Sequence, residues 1–239
     1  MQRAFAPRLG SLALCAALSW PMTAAQAQDA RPTLARVAES GALRIGYRES
    51  SVPFSYLDGR APIGLSMDLC ARIAQAVGAK LKRTDLKTEF QGVTSQNRIP
   101  LVINGTIDLE CGSTTNNVQR REQVEFAINH FYTGTRLLVK KASGIKGYAD
   151  LKGKTVATTT GTTNLQVLRK YNADKGIGFD LIFGKDHVDS MLLVDNDRAV
   201  AFGMDDILLY GLAGNAKDPA QWQVVGEALG LSLPHSALA

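Results

Sequence analysis

Arginines and small hydroxyl or amide side chains crowd two short stretches of this 239-residue chain. One is Thr94-Ser95-Gln96-Asn97-Arg98; the other runs from Gly112-Ser113-Thr114-Thr115 through Asn116-Asn117 to Arg120. A third arginine, Arg48, sits earlier, in Tyr47-Arg48-Glu49-Ser50-Ser51. A guanidinium in water is charged throughout the ordinary pH range and carries a planar fork of donors that matches a carboxylate. Arginines interleaved with hydroxyls therefore point to capture of a small dianion. Any one of these arginines, taken alone, reads as a solvated surface charge. Their positions argue for more. Each cluster lies where an apolar run ends and a turn or helix begins, which is where α/β folds put their ligands.

Alternating strand and helix patterns would hold these clusters in place. A helix is expected over 33–40, ending at Gly41, and a strand over 43–47. Leu65, Leu69, Ile73 and Val77 recur at four-residue spacing, which predicts an amphipathic helix over 65–77 closed by Gly78. A strand over 88–93 leads into the first arginine cluster, and a helix over 99–103 follows. Asn104-Gly105 then turns the chain into a strand over 107–110, which runs into the second cluster. A second unit repeats this order: strands at 136–140, 155–158, 179–183 and 199–202, a helical turn at 149–151, and helices at 165–171, 187–194 and 206–213. Strand, helix, strand in sequence implies parallel sheets with helices on their faces. The plan is two α/β lobes meeting at extended crossings near 131–135 and 222–226. Residues 28–132 and 224–239 would form the first lobe and 133–223 the second. A cleft between such lobes closes around a small ligand by hinge motion.

Hydrophobic residues make up 45% of the chain, enough for a sizeable core. Residues 1–27 read as a cleaved secretory signal. Arg3 and Arg8 form a basic start, 12–20 an apolar run too short to span a bilayer, and Ala25-Gln26-Ala27 a small-x-small cleavage site. Cleavage would remove two arginines and no acid, taking the net charge from +5 to +3. That mild excess, without Lys/Arg runs, argues against nucleic acid as a partner. Cys70 and Cys111 would remain in an oxidising compartment, either bridged or as two small buried thiols. With three scattered histidines, no metal site and no cofactor is expected.

The segments GYRESSVPFSY, TSQNRIPL, NGTIDLECGSTTNN, GTRLLVKK, DLKGKTV, GTT, KDH and RAVAFGMDD resemble the acidic-amino-acid binders of the polar-amino-acid family of extracellular solute-binding proteins. Proteins of this family serve ABC importers, and the likeness runs from about residue 33 to 226. It implies a two-lobed periplasmic-binding-protein-like α/β fold, each lobe a mostly parallel sheet flanked by helices, joined by a two-strand hinge. It implies a monomeric periplasmic protein that passes L-glutamate or L-aspartate to a membrane permease. Arg120, Thr115 and Thr163 would receive the ligand's α-carboxylate. Arg48, Ser95, Arg98 and His187 would receive the second carboxylate, with His187 becoming an imidazolium. Asp205, helped by Ser113, would take the ammonium. The helix starts at Gly112–Asn117 and Gly161–Asn164 offer backbone N–H groups to an anion, although the same residue types serve as ordinary N-caps. Against the family pattern, the tail after the second crossing lacks the expected strand and closing helices, so the first lobe is expected to be incomplete there. The alternative function is a dehydratase-type enzyme on a small dicarboxylic acid. Its acid or base would have to be Glu49 or Glu110, both expected to face away from the ligand or to make structural pairs.

Overall fold

The structure, a computed structural model, describes residues 32–235; the expected signal segment, 1–27, lies outside them. Helix α1 (Thr33–Ser40) ends as its sequence predicts. Gly41 adopts a left-handed cap (φ 70) and returns its N–H to the Val37 carbonyl. Strand β1 (Ala42–Tyr47) follows. A small antiparallel set comes next, β2 (Ser50–Ser51), β3 (Ser55–Asp58) and β4 (Ala61–Ile63), whose strands are too short to show a period in sequence. Helix α2 (Leu65–Lys80) runs through Gly78, where the sequence predicts its end. This glycine is buried, and a Cβ there would sit 3.1 Å from the Arg83 carbonyl, so it serves close packing and not termination.

Strand β5 (Lys87–Gly92), helix α3 (Arg98–Ile103), strand β6 (Leu109–Cys111) and the short helix α4 (Val118–Arg121) complete the first unit. Its sheet has the order β5-β1-β6, with both pairings parallel, so helical crossovers are obligatory. Val37, Leu43, Ile45, Met67, Cys70 and Cys111 form its core. A groove of about 820 Å³, lined in part by Met67, Ala71, Ala74, Leu86 and Phe90, remains on this unit and leaves Phe90 52% exposed.

The larger sheet has the order β11-β7-β10-β8-β9. Its strands are β7 (Phe131–Lys140), β8 (Thr155–Thr159), β9 (Asp180–Gly184), β10 (Ala201–Asp205) and β11 (Trp222–His235), interleaved with α5 (Thr163–Lys175), α6 (His187–Asp195) and α7 (Asp206–Gly214). Neighbouring residues on one strand enter different cores. Leu138 and Phe202 pack with Met191, Met204 and Leu208, whereas Leu137, Val139 and Ala201 pack with Val156 and Leu168. The sheet is mixed, β10-β8-β9 pairing in parallel and β11-β7-β10 antiparallel, and both its faces are covered.

The expected lobe boundaries, 132/133 and 223/224, fall inside β7 and β11. These strands lie side by side from Trp222 opposite Lys140 to His235 opposite Phe131. Residues 224–235 therefore extend the edge of the larger sheet, in place of the first lobe that the sequence predicts for them. Phe54, from the loop between β2 and β3, is buried in the second unit's core beside Leu138, Met204 and Trp222. Among the described residues, no helix is long and apolar enough to cross a membrane.

Candidate functional site

All nine residues singled out from the sequence lie at or just beyond the C-terminal end of a parallel-sheet strand. Arg48 follows β1, Ser95 and Arg98 follow β5, and Ser113, Thr115 and Arg120 follow β6. Thr163 opens α5 after β8, His187 opens α6 after β9, and Asp205 ends β10. The two sets face one another across the junction. Ser95, Arg98, Ser113, Thr115, Thr163, His187 and Asp205 line one cavity of about 10 Å³, room for a single water-sized sphere. Arg48 reaches this cavity through His187, its Nη2 lying 3.5 Å from Nε2. Arg120 reaches it through Thr115, whose carbonyl accepts from Nη1 at 2.9 Å.

The walls are in contact. The Thr115 and Thr163 hydroxyls lie 3.1 Å apart, and Arg120 Nη2 donates to the Gly161 carbonyl at 3.3 Å. Arg48 Nη2 donates to Asp186 Oδ1 across the same junction. Gly161 (φ +78) permits the approach, because a Cβ there would lie 2.7 Å from the Gln96 Cα. N-capping is performed by other residues: Asn117 accepts from the Arg120 N–H, and Thr162 from the Leu165 N–H. The hydroxyls of Thr115 and Thr163 are thus turned toward the cleft.

Burial dominates the electrostatics. Arg48 is 0% exposed and Arg98 3%. Among the described residues, Nε and Nη1 of both arginines, and Ser95 Oγ, make no hydrogen bond. Burial pulls the Arg98 guanidinium down to about 9, opposed by Glu110 and reinforced by the positive charges of Arg120 and Arg48. Glu110, expected to face away from the ligand or to make a structural pair, is buried among these arginines and paired. Its Oε2 accepts from Thr114 Oγ1 at 2.8 Å, and its Oε1 lies 4.0 Å from Arg98 Nη1. Burial pushes its carboxyl up, with Arg98 acting in the opposite sense. A Cβ on Gly112 would come within 2.2 Å of that Oε1, so a larger residue there would have to displace the Glu110 carboxylate. Glu49 is exposed.

His187 is buried, which rules out a surface histidine. Arginine can only donate, so Nε2 facing Arg48 is the acceptor and Nδ1 carries the proton toward Thr159 Oγ1, 3.0 Å away. Burial first, and then Arg48, push its pKa down to about 3. With these partners the ring is neutral; the imidazolium is the expectation for the site with a ligand carboxylate beside it. Asp205 Oδ1 accepts from Asn164 Nδ2 at 2.9 Å. Asp205 makes no side-chain cap; Asp206 accepts the Ile207 N–H at 2.7 Å and the Thr133 hydroxyl at 2.6 Å.

Cys70 and Cys111 are bonded, with Cα atoms 6.4 Å apart. The bridge ties α2 to the end of β6, from which the Gly112–Thr115 loop leaves. Among the described residues, no group of three or more His, Cys, Asp or Glu could hold a metal ion. Sequence reasoning missed Asp186 and Asn164 as site residues. Asp186 could be seen only as the cap before a helix, since its partner Arg48 is 138 residues away.

The profile of the bacterial extracellular solute-binding proteins, family 3, matches residues 43–219. An L-glutamate/L-aspartate-binding protein of Pseudomonas aeruginosa is 49% identical over 92% of this chain and 73% of its own length. A glutamate/aspartate import solute-binding protein of Escherichia coli is 48% identical over 85% of this chain and 69% of its own. Among solved structures, an ancestral arginine-binding protein bound to arginine superposes with a TM-score of 0.71 at 26% identity, covering 83% of this chain and 84% of that one.

Proposed function

Since the chain belongs to the bacterial extracellular solute-binding proteins of family 3, we propose that it captures L-glutamate or L-aspartate between its two units and delivers it to the permease of an ABC importer. One observation carries the reading. Arg48, Arg98 and Ser95 present buried donor atoms with no hydrogen-bond partner among the described residues, beside a cavity whose wall includes buried Asp205. Desolvated donors left unmatched are costly, and a carboxylate satisfies them.

In this reading the side-chain carboxylate lies on Arg48, Ser95 and Arg98, with the His187 ring alongside. The α-carboxylate lies on Arg120, Thr115 and Thr163, and the ammonium on Asp205 with Ser113. A neutral amide in place of the side-chain carboxylate would leave buried arginines without an anion, a loss of several kcal/mol. Binding contacts come from both units, so the ligand favours the closed arrangement. Glu110 is engaged by Thr114 and Arg98, which suits charge balance and not proton transfer, so the site is read as binding and not catalytic. Residues 1–27 would direct the chain to the periplasm, where it would act as a monomer.

Titration calorimetry with L-glutamate, L-aspartate, L-glutamine and L-arginine tests this. Micromolar binding of the two acids, about −8 kcal/mol, with far weaker binding of the other two, is expected. Equal affinity for glutamate and glutamine would reject the two-carboxylate site.

A further inference from the structure

Glu110 is 1% exposed and takes no part in the ligand contacts proposed above. We propose that it is a positioning residue of the site, a fixed counter-anion that keeps Arg98 a cation for the ligand's side-chain carboxylate. The inference rests on the reading of the site as a receptor for a dicarboxylic amino acid.

The geometry lies within one unit. Strand β6 sets Glu110 beside Gly46 of β1 in a parallel pair. Its Oε2 accepts from the hydroxyl of Thr114, itself 1% exposed, which fixes the carboxylate in place. Its Oε1 lies 4.0 Å from Arg98 Nη1, the outer reach of an ion pair, so its hold on that guanidinium is electrostatic. Gly112 makes the room: a Cβ there would lie 2.2 Å from Oε1 and 2.7 Å from the Arg48 Cγ. Thr114, Arg98, Gly112 and Arg48 all belong to the first unit, so this role is independent of how far the cleft is open.

Charge gives the reason for such a group. Guanidiniums that share a buried cluster disfavour one another's charge, and burial disfavours them all. Burial is the largest influence lowering Arg98, reinforced by Arg120 from α4 and Arg48 after β1. Glu110 from β6 opposes it, as does Asp186 ahead of α6 to a smaller extent. Asp205 at the end of β10 acts on Arg120, and His187 is neutral. Burial likewise pushes the Glu110 carboxyl up, while Arg98, the Thr114 hydroxyl, Arg48 and Arg120 hold it down. Each member of the Arg98–Glu110 pair thus favours the charged form of the other. Without Glu110, the guanidinium gives up its proton more readily, and a neutral guanidine cannot balance a carboxylate.

The test compares the wild type with Glu110→Gln, which keeps an acceptor for Thr114 but no charge, and Glu110→Asp, which keeps the charge. The Arg98 Cζ resonance is followed against pH in the unliganded proteins, and L-glutamate affinity is measured by calorimetry from pH 7 to 10. In Glu110→Gln, Arg98 is expected to lose its charge at least one pH unit lower than in the wild type. Glutamate affinity should begin its alkaline fall correspondingly lower, about tenfold below the wild type at pH 10, since one unit corresponds to tenfold. Glu110→Asp should return both readings toward the wild type. A purely structural carboxylate would lower the melting temperature and weaken binding by the same factor at every pH. That outcome, or an Arg98 titration unmoved in Glu110→Gln, would overturn the proposal. If the wild type binds neither acid, the receptor reading fails, while the Arg98 titration still decides whether Glu110 holds its charge.

Discussion

At the scale of single residues, the site depends on guanidinium groups kept dry. Arg98 opens α3 and has two buried nitrogen atoms making no hydrogen bond among the described residues, so its planar fork is available to a ligand. Lysine keeps the charge but loses the fork. Arg98→Lys is expected to weaken L-glutamate binding about a hundredfold, about 2.7 kcal/mol, in calorimetry with little change in melting temperature. Burial also makes the site sensitive to pH. A cation whose pKa is lowered to about 9 loses its charge as pH rises through that value, so glutamate affinity should fall above about pH 9. His187, pushed to about 3, does not titrate where an ordinary imidazole does, so affinity should be flat between about pH 5.5 and 8. A tenfold change centred near pH 6.5 would show that His187 gains a proton with the ligand. Most of these residues were legible in sequence because a cationic or hydroxyl residue at the end of an apolar run has few structural duties. Whether Glu110 faces away or pairs was not legible, because alternation assigns a face only where one face is wet, and here Glu110 and Cys111 are both buried.

At the scale of elements, the long periodic segments declared themselves, and the errors lie where tertiary contact overrides local signal. Gly78 reads as a helix end, but the close approach of the Arg83 carbonyl gives it a place inside α2. The short strands β2 to β4 have no period to detect, yet they carry Phe54 into the second unit's core. Two elements can be tested directly. The loop after β8 brings Gly161 against the backbone of Ser95 and Gln96, and alanine there is strained at φ +78 and meets main chain that cannot yield. Gly161→Ala should leave the unliganded fold intact but cut glutamate affinity at least tenfold by blocking closure, read by calorimetry beside a melting curve. The Cys70–Cys111 bridge closes a loop of sequence separation 41, worth about 4 kcal/mol on a chain-entropy estimate. Replacing both cysteines with alanine should lower the melting temperature markedly, and glutamate affinity should fall as the Gly112–Thr115 loop loosens.

At the scale of the molecule, β7 and β11 lie side by side in the larger sheet, and the functional groups gather where the C-terminal ends of parallel strands from both sheets meet. Strand order and the position of the clusters made that arrangement legible. The cross-cleft pairs, such as Thr115 with Thr163 and Arg48 with Asp186, were not, because no local pattern encodes partners so far apart in sequence. The most direct measurement is a crystal structure with L-glutamate bound. The account predicts its side-chain carboxylate on Arg48, Ser95 and Arg98, its α-carboxylate on Arg120 with Thr115 and Thr163, and its ammonium on Asp205. A ligand lying elsewhere, or one whose two carboxylates do not each meet a guanidinium in this cleft, would contradict it.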